Sequence, residues 1–182
     1  MSDLPEIRFR RLAMEDLALM RRWLNETPAV RESYAHGQDV SYEAVVGKYG
    51  PRIRGEQPTA SYIIMCGDEV PIGYIQTYLW RDYPAYARYL DLHEEAASLD
   101  VFIGHEGYIH RGLGPGILRV FLREVVFADA RVESCVITPE AGNASALRAY
   151  EKAGFRRVRV IEHPDEPGPV CMMRIGREGF AH

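Results

Sequence analysis

The sequence predicts an α/β (α+β) chain with a mixed central β-sheet of six to seven strands and helices on both faces. Two observations carry that expectation. Strand-like segments such as SLDVFIG and VESCVIT alternate with segments of helical spacing. Strands that alternate with helices need crossover connections, so the middle of the sheet is partly parallel. Elsewhere two β-rich runs flank the turn GDE, and such a hairpin makes its strands antiparallel.

Composition sets the bounds. The 182 residues are 47% hydrophobic and 26% charged, enough for one well-buried core. A single domain over residues 1–182 is the expectation, since this length leaves little room for two. The net charge is −4 and no basic run occurs, which argues against a nucleic-acid partner. Cys66, Cys135 and Cys171 are odd in number and widely spaced. They suggest small buried thiols in a reducing compartment, with neither a disulfide framework nor a metal site. The N-terminus MSDLPEIRFRR has no apolar core, and no apolar run is long enough to cross a membrane. A cytoplasmic, soluble protein without a membrane partner is expected.

Each element has its own signal. EIRFRRL alternates apolar and charged residues and predicts a first strand. In AMEDLALMRRWLN, residues Met14, Leu17, Met20, Trp23 and Leu24 recur at helical spacing. Residues 27 to 40 are polar and contain Pro28 and Gly37, which predicts a loop. Ser41 is placed to cap a helix through YEAVVGKYGPRI, with Pro51 expected to end it. After the hairpin, residues 81 to 97 read as a long connection. SLDVFIG is a strand, and a helix runs from the glycine stretch to about Asp129. VESCVIT, FRRVRVIE and PVCMMRIG are the remaining strands. NASALRAYEKAG lies among them as a helix, with Asn143 as its N-cap and Gly154 as its C-cap.

The stretch HRGLGPGILRVFLREVVF spends backbone entropy at a helix start. Gly112, Gly114 and Gly116 precede Ile117, Phe121 and Val125, which share a predicted helix face that Leu113 extends. A glycine loop feeding a helix exposes unpaired N–H groups and the positive end of the helix dipole, an arrangement suited to phosphates. Arg111 adds a positive charge, and Pro115 suits the first turn. The stretch is neither a phosphate loop of the GK[ST] kind nor a clean GxGxxG, so a purely structural turn is an equal reading of it in isolation.

Taken with NASALRAYEKAGF, the glycine stretch resembles the GNAT superfamily of acetyl-CoA-dependent N-acetyltransferases. Further in, IRFRRLAMEDLALMRRWLNE, PIGYIQTY, LDVFIG and YIHRGLGPGILR in succession resemble the aminoglycoside 6'-N-acetyltransferases. The resemblance covers roughly residues 6 to 176 and is weakest at 28 to 60. It implies a GNAT fold in which a splayed parallel pair of strands, SLDVFIG and VESCVIT, binds acetyl-CoA as co-substrate, with no metal. The pyrophosphate would meet the N–H groups of Arg111, Gly112, Leu113, Gly114, Pro115 and Gly116, among which Pro115 has none to offer. A backbone amide near Phe102 and Ile103 would polarise the thioester carbonyl. Asn143 would bond the pantetheine or cap its own helix.

The resemblance also assigns the chemistry. A primary ammonium must lose a proton before it attacks, and Asp100 in LDVF takes the place of the carboxylate that binds it and accepts or relays the proton. Tyr150 takes the place of the donor to the leaving thiolate. On the acceptor side the resemblance assigns Asp100 and Thr138 by position; a polycationic sugar also suits the acidic, aromatic connection that supplies Glu94 and Glu95, with Gln76 and Trp80 on or just after the preceding strand. One departure bears on this. The resembled enzymes carry aspartate where Thr138 stands in ITPE, which weakens the case for aminoglycoside binding and leaves acetyl transfer untouched. Ile109 replaces the first polar residue of the glycine signature. The expected function is therefore acetyl transfer to the 6'-amine of an aminoglycoside, an antibiotic-resistance activity. The alternatives are another amine acceptor (a siderophore hydroxylamino-lysine, a polyamine or a protein N-terminus) and a non-catalytic acyl-CoA sensor. Monomer and homodimer both fit.

Overall fold

The structure, a computed structural model, describes residues 5–180. Strand β1 (Ile7–Arg11) leads through a 3-10 turn at Met14–Asp16 into α1 (Leu17–Glu26). Leu17, Met20, Trp23 and Leu24 are buried as their spacing predicts. Met14 is exposed, because it lies in the 3-10 turn and not on the helix face. The segment expected to be a loop instead contains α2 (Pro28–Tyr34). Pro28 occupies its first turn, where a fixed φ favours the helix and the missing N–H forfeits no internal bond. Thr27 precedes it and sends its hydroxyl to the Gly104 carbonyl oxygen, at 2.6 Å.

Helix α3 (Tyr42–Ile53) is capped by Ser41, whose Oγ accepts from the Ala44 N–H at 3.1 Å. Pro51 does not end this helix. It sits within the last turn, and the Arg54 N–H still reaches the Gly50 carbonyl oxygen at 3.0 Å, so only the ladder bond of Pro51 itself is lost. Strands β2 (Thr59–Cys66) and β3 (Val70–Leu79) flank the expected turn, with Gly67 at φ 56°. The long connection carries a 3-10 turn at Trp80–Asp82 and the short α4 (Pro84–Ala87). Strand β4 (Ala96–Ile103) follows, then a 3-10 turn at Glu106–Tyr108.

Helix α5 (Gly114–Phe121) opens at the second glycine of the stretch and continues as a π-helical segment, Leu122–Val126, ending short of Asp129. The π segment changes which side chains face inward. Regular spacing from Ile117 and Phe121 leads to Val125, yet Val125 is only half-buried. Leu122 and Val126 are buried instead, because the wider turn inserts one residue into the repeat. The rest of the chain holds β5 (Ser134–Ile137), α6 (Ala144–Ala153), β6 (Arg156–Ile161), β7 (Val170–Gly176) and α7 (Arg177–Phe180). Asn143 Oδ1 accepts from the Ala146 N–H at 3.0 Å, and Gly154 closes α6 at φ 111°. Both caps stand where the sequence puts them.

The strands form a mixed seven-stranded sheet in the order β1-β2-β3-β4-β5-β7-β6. Strands β4 and β5 are parallel, in register at Ala96↔Ser134 and Ala97↔Cys135. The pairs β1–β2, β5–β7 and β6–β7 are antiparallel. The described residues divide into two compact units, one of residues 5–76 and 100–113, the other of 77–99 and 114–180. The core of the first packs Leu17, Met20, Trp23 and Leu24 of α1 with Val45 and Tyr49 of α3, Ile63, Tyr74 and Phe102. One core cluster of the second joins Trp80, Leu90, Ala96, Val136 and Met172. All three cysteines are buried and unbonded to one another. Among the described residues no helix is long and apolar enough to cross a membrane.

The π register is directly testable. Leu122→Ala removes a fully buried side chain and is expected to cost about 2–5 kcal/mol, against less than about 1 kcal/mol for Val125→Ala. Denaturant unfolding of the two variants measures the difference, and equal losses would contradict the register.

Candidate active site

In the first unit, Asp100 lies two residues before Phe102 on β4, so the two share a face of the strand. Phe102 is buried, edge-on to Trp23 and Tyr34, with ring centroids 6.2 and 4.8 Å away. Asp100 is half-buried and accepts a hydrogen bond on Oδ2 from Gln76 Nε2, at 2.6 Å. Gln76 in turn accepts on Oε1 from the Tyr74 hydroxyl at 2.6 Å and from Arg52 Nη1 at 2.5 Å. Strand β3 supplies Tyr74 and Gln76 on one face, and α3 supplies Arg52. Gly73 lets the two strand backbones come together there, since a Cβ on it would collide with the Phe102 carbonyl oxygen. Burial pushes the Tyr74 phenol up to about 12, so it stays a donor at neutral pH.

Lys48 is another charge near Asp100. Its side chain is exposed. Its pKa is lowered by partial loss of water first and by Arg52 next, while Asp100 acts the other way. Sequence reasoning missed Lys48, Arg52 and Tyr74. The first two fall in the segment of weakest resemblance. Tyr74 had a signal, its two-residue offset from Gln76 on a strand.

The glycine stretch turns at Gly112, whose φ of +72° any side chain would strain. Leu113 is buried beside it, and Arg111 places its guanidinium 5.6 Å from the centroid of the Tyr108 ring. Ile103 is half-buried at the end of β4. Helix α5 then begins with Gly114, Pro115 and Gly116, whose helix start leaves backbone N–H groups without internal partners.

In the second unit, a Cβ added to Gly114 would stand 4.0 Å from the Ala149 Cβ on α6. Tyr150, on the same helix, is half-buried and edge-on to Phe155, 5.6 Å between centroids. Asn143 caps the helix, the structural half of its expected role. Trp80 is buried, donates from Nε1 to the Val136 carbonyl oxygen at 3.0 Å, and stacks on Tyr86. Tyr86 also stacks on His163, and its hydroxyl meets Thr138 Oγ1 at 3.1 Å and donates to Glu166 at 2.8 Å. The Tyr86 hydroxyl thus links Thr138 to the Glu166 carboxylate. The acidic pair is engaged. Glu94 accepts from Arg174 Nε and Nη2 at 2.7 and 2.9 Å and from the Ser134 hydroxyl at 2.6 Å. Glu95 pairs with Arg81 at 3.0 Å. Both line a cleft of about 770 Å³ with Trp80, Asp91 and Glu133. Among the described residues no cluster of His, Cys, Asp and Glu is arranged to hold a metal ion.

A parallel strand pair, a glycine turn opening a helix and a capped helix bearing Tyr150 fit a known family. The family described as "Acetyltransferase (GNAT) domain" matches residues 13–163. This chain belongs to the GNAT acetyltransferases. Among curated GNAT relatives, the aminoglycoside N(6')-acetyltransferase type 1 of Klebsiella pneumoniae is 27% identical over 182 aligned residues, covering 96% of this chain and 85% of that one. A kanamycin resistance protein of Rhizobium radiobacter is 33% identical over 83 residues, covering 46% of this chain and 74% of that one. The solved structure of aminoglycoside acetyltransferase AAC(6')-Ib in complex with coenzyme A and kanamycin matches with a TM-score of 0.84 at 28% identity, over 96% of this chain and 97% of that one. Spermidine N-acetyltransferase from Vibrio cholerae, at 15% identity and a TM-score of 0.72, shares the fold.

The bonds to Arg174 hold the Glu94 carboxyl below its usual range, burial opposing and Ser134 and the Arg174 charge helping. A depressed carboxylate stabilises the fold above its unfolded pKa of about 4.3, and that contribution is lost as pH falls through the folded value. Glu94→Gln is therefore expected to cost about 1–2 kcal/mol at pH 7 and progressively less below about pH 4. Thermal melting across pH measures this. A deficit that stays constant through pH 3 would refute it.

Proposed function

We propose that this GNAT chain, as one domain over residues 1–182, transfers acetyl from acetyl-CoA to a primary amine, the 6'-amine of an aminoglycoside being the leading acceptor. The observation that carries the acceptor is similarity over nearly the whole chain to aminoglycoside N(6')-acetyltransferases. Asp100 binds the ammonium and accepts or relays its proton. The amine nitrogen then attacks the thioester carbon, a C–N bond forms, the C–S bond breaks, Tyr150 protonates the leaving thiolate, and the second nitrogen proton is lost to solvent, which reprotonates Tyr150. The strand amides at Phe102 and Ile103 stabilise the oxyanion, and the turn from Arg111 to Gly116 receives the pyrophosphate. Asn143 adds a contact to the pantetheine. Trp80, Thr138, Glu94 and Glu95 serve the acceptor side, the last two only by exchanging their arginine partners, and Gln76 serves it through its hydrogen bond to Asp100. The protein works in the cytoplasm without a metal, as monomer or homodimer, and such activity confers antibiotic resistance.

A second reading keeps the chemistry and changes the amine. It is favoured by Thr138 in place of aspartate and by the ion pairs that engage Glu94 and Glu95.

Thiol release from acetyl-CoA separates the readings, using kanamycin, tobramycin, a 6'-hydroxyl aminoglycoside, spermidine and lysine. Turnover is expected with the 6'-amino drugs and not with the 6'-hydroxyl one. Asp100→Asn should lower kcat/KM by about 10²–10⁴-fold, the usual worth of a positioned acid or base. Turnover with spermidine or lysine alone would replace the acceptor, and undiminished turnover by Asp100→Asn would remove that residue from the chemistry.

A further inference from the structure

We propose that Arg52 and Gln76 are positioning residues for acetyl transfer, together orienting the Asp100 carboxylate for the acceptor amine; this rests on the assignment of Asp100 to the amine. Gln76 is 8% exposed, so its amide must find partners within the protein. An amide oxygen has two lone pairs, and Tyr74 at 2.6 Å and Arg52 at 2.5 Å take both. The amide nitrogen then faces Asp100 Oδ2 at 2.6 Å. Rotating the amide by half a turn would set its NH₂ against a guanidinium and its oxygen against a carboxylate. Both contacts would be repulsive, so the orientation is fixed by charge at each end.

The second coordination of this network is equally constrained. Tyr74 has one proton and gives it to Gln76, so the Ser61 hydroxyl, 2.8 Å away, must be the donor to Tyr74. Hydrogen bonds therefore run in one direction from Ser61 through Tyr74 to Gln76, and Gln76 donates on to Asp100. Tyr74 is fully buried and Ser61 nearly so, and both belong to strands. The guanidinium of Arg52 is held from the other side, 5.3 Å from the centroid of the Tyr49 ring. Its charge polarises the Gln76 amide, whose nitrogen donates to Asp100. Lys48 and Tyr49 from α3 and Tyr74 from β3 are titratable groups that interact electrostatically with Asp100, and Arg52 from α3 reaches it through the Gln76 amide.

The experiment compares Arg52→Met, Arg52→Lys and Gln76→Leu, each alone and combined with Asp100→Asn, with melting curves to verify folding. Two readouts are taken. One is kcat and KM for kanamycin and for acetyl-CoA. The other is the acid titration of the Asp100 carboxyl by ¹³C NMR, its resonance identified by loss in Asp100→Asn. Arg52→Met is expected to lower kcat/KM for kanamycin by about 10-fold with KM for acetyl-CoA unchanged, and to raise the carboxyl midpoint by about half a unit. Arg52→Lys should restore most of both, and neither Arg52→Met nor Gln76→Leu should cost anything further once Asp100 is Asn. An unmoved midpoint in both Arg52→Met and Gln76→Leu, or losses that multiply with that of Asp100→Asn, would overturn the proposal. Undiminished turnover by Asp100→Asn, or no turnover of kanamycin at all, would count against the proposed function and leave the titration to decide the positioning.

Discussion

One amide governs the Asp100 end of this protein. Gln76 has to satisfy four hydrogen-bonding positions in a nearly dry site, and the residues around it leave a single orientation. Much of the local architecture follows from keeping those partners in place. Tyr74 must lie on the same face of β3, which strand alternation provides. Helix α3 must run past its proline to bring Arg52 into reach, and Pro51 within the last turn permits that. Gly73 must lack a side chain so that the β4 backbone at Phe102 can approach. A buried polar network that is only partly satisfied is worse than an apolar core, so each of these conditions constrains the others.

The fold was legible where local chemistry and periodicity agree. Ser41, Asn143 and Gly154 cap helices because their side chains, or the lack of one, suit only those backbone positions. The misreadings have specific causes. Pro28 suggests a loop among its polar neighbours, yet a proline is equally at home in a first helical turn. Pro51 suggests a stop, although a proline near a helix end removes one bond and not the helix. The π segment is invisible to a period of 3.6, so Val125 was placed where Leu122 and Val126 are found.

The site was legible in part and for a similar reason. Asp100 and the glycine turn sit in short contiguous motifs, so spacing along the chain announces them. Arg52 and Tyr74 act on Asp100 from α3 and β3, and Glu166 reaches Tyr86 from 80 positions away. No spacing rule joins such residues, because tertiary packing and not local sequence brings them together.

The acceptor side shows how charge counts mislead without partners. Residues 81 to 97 carry enough acid to suggest an ammonium-binding surface, and the segment does line a cleft. Two of its carboxylates hold arginines, and Glu94 does so with a second bond from Ser134 that ties β4's approach to the start of β5. A carboxylate held in this way attracts a ligand cation only in proportion to what the arginine leaves uncompensated. Tyr86 makes the opposite case. Its phenol joins Thr138 to Glu166, so a carboxylate from a distant part of the chain is linked to that position. Which carboxylates meet an amine is thus decided by which ones the fold has already paired, a property of tertiary contacts that no count along the chain contains.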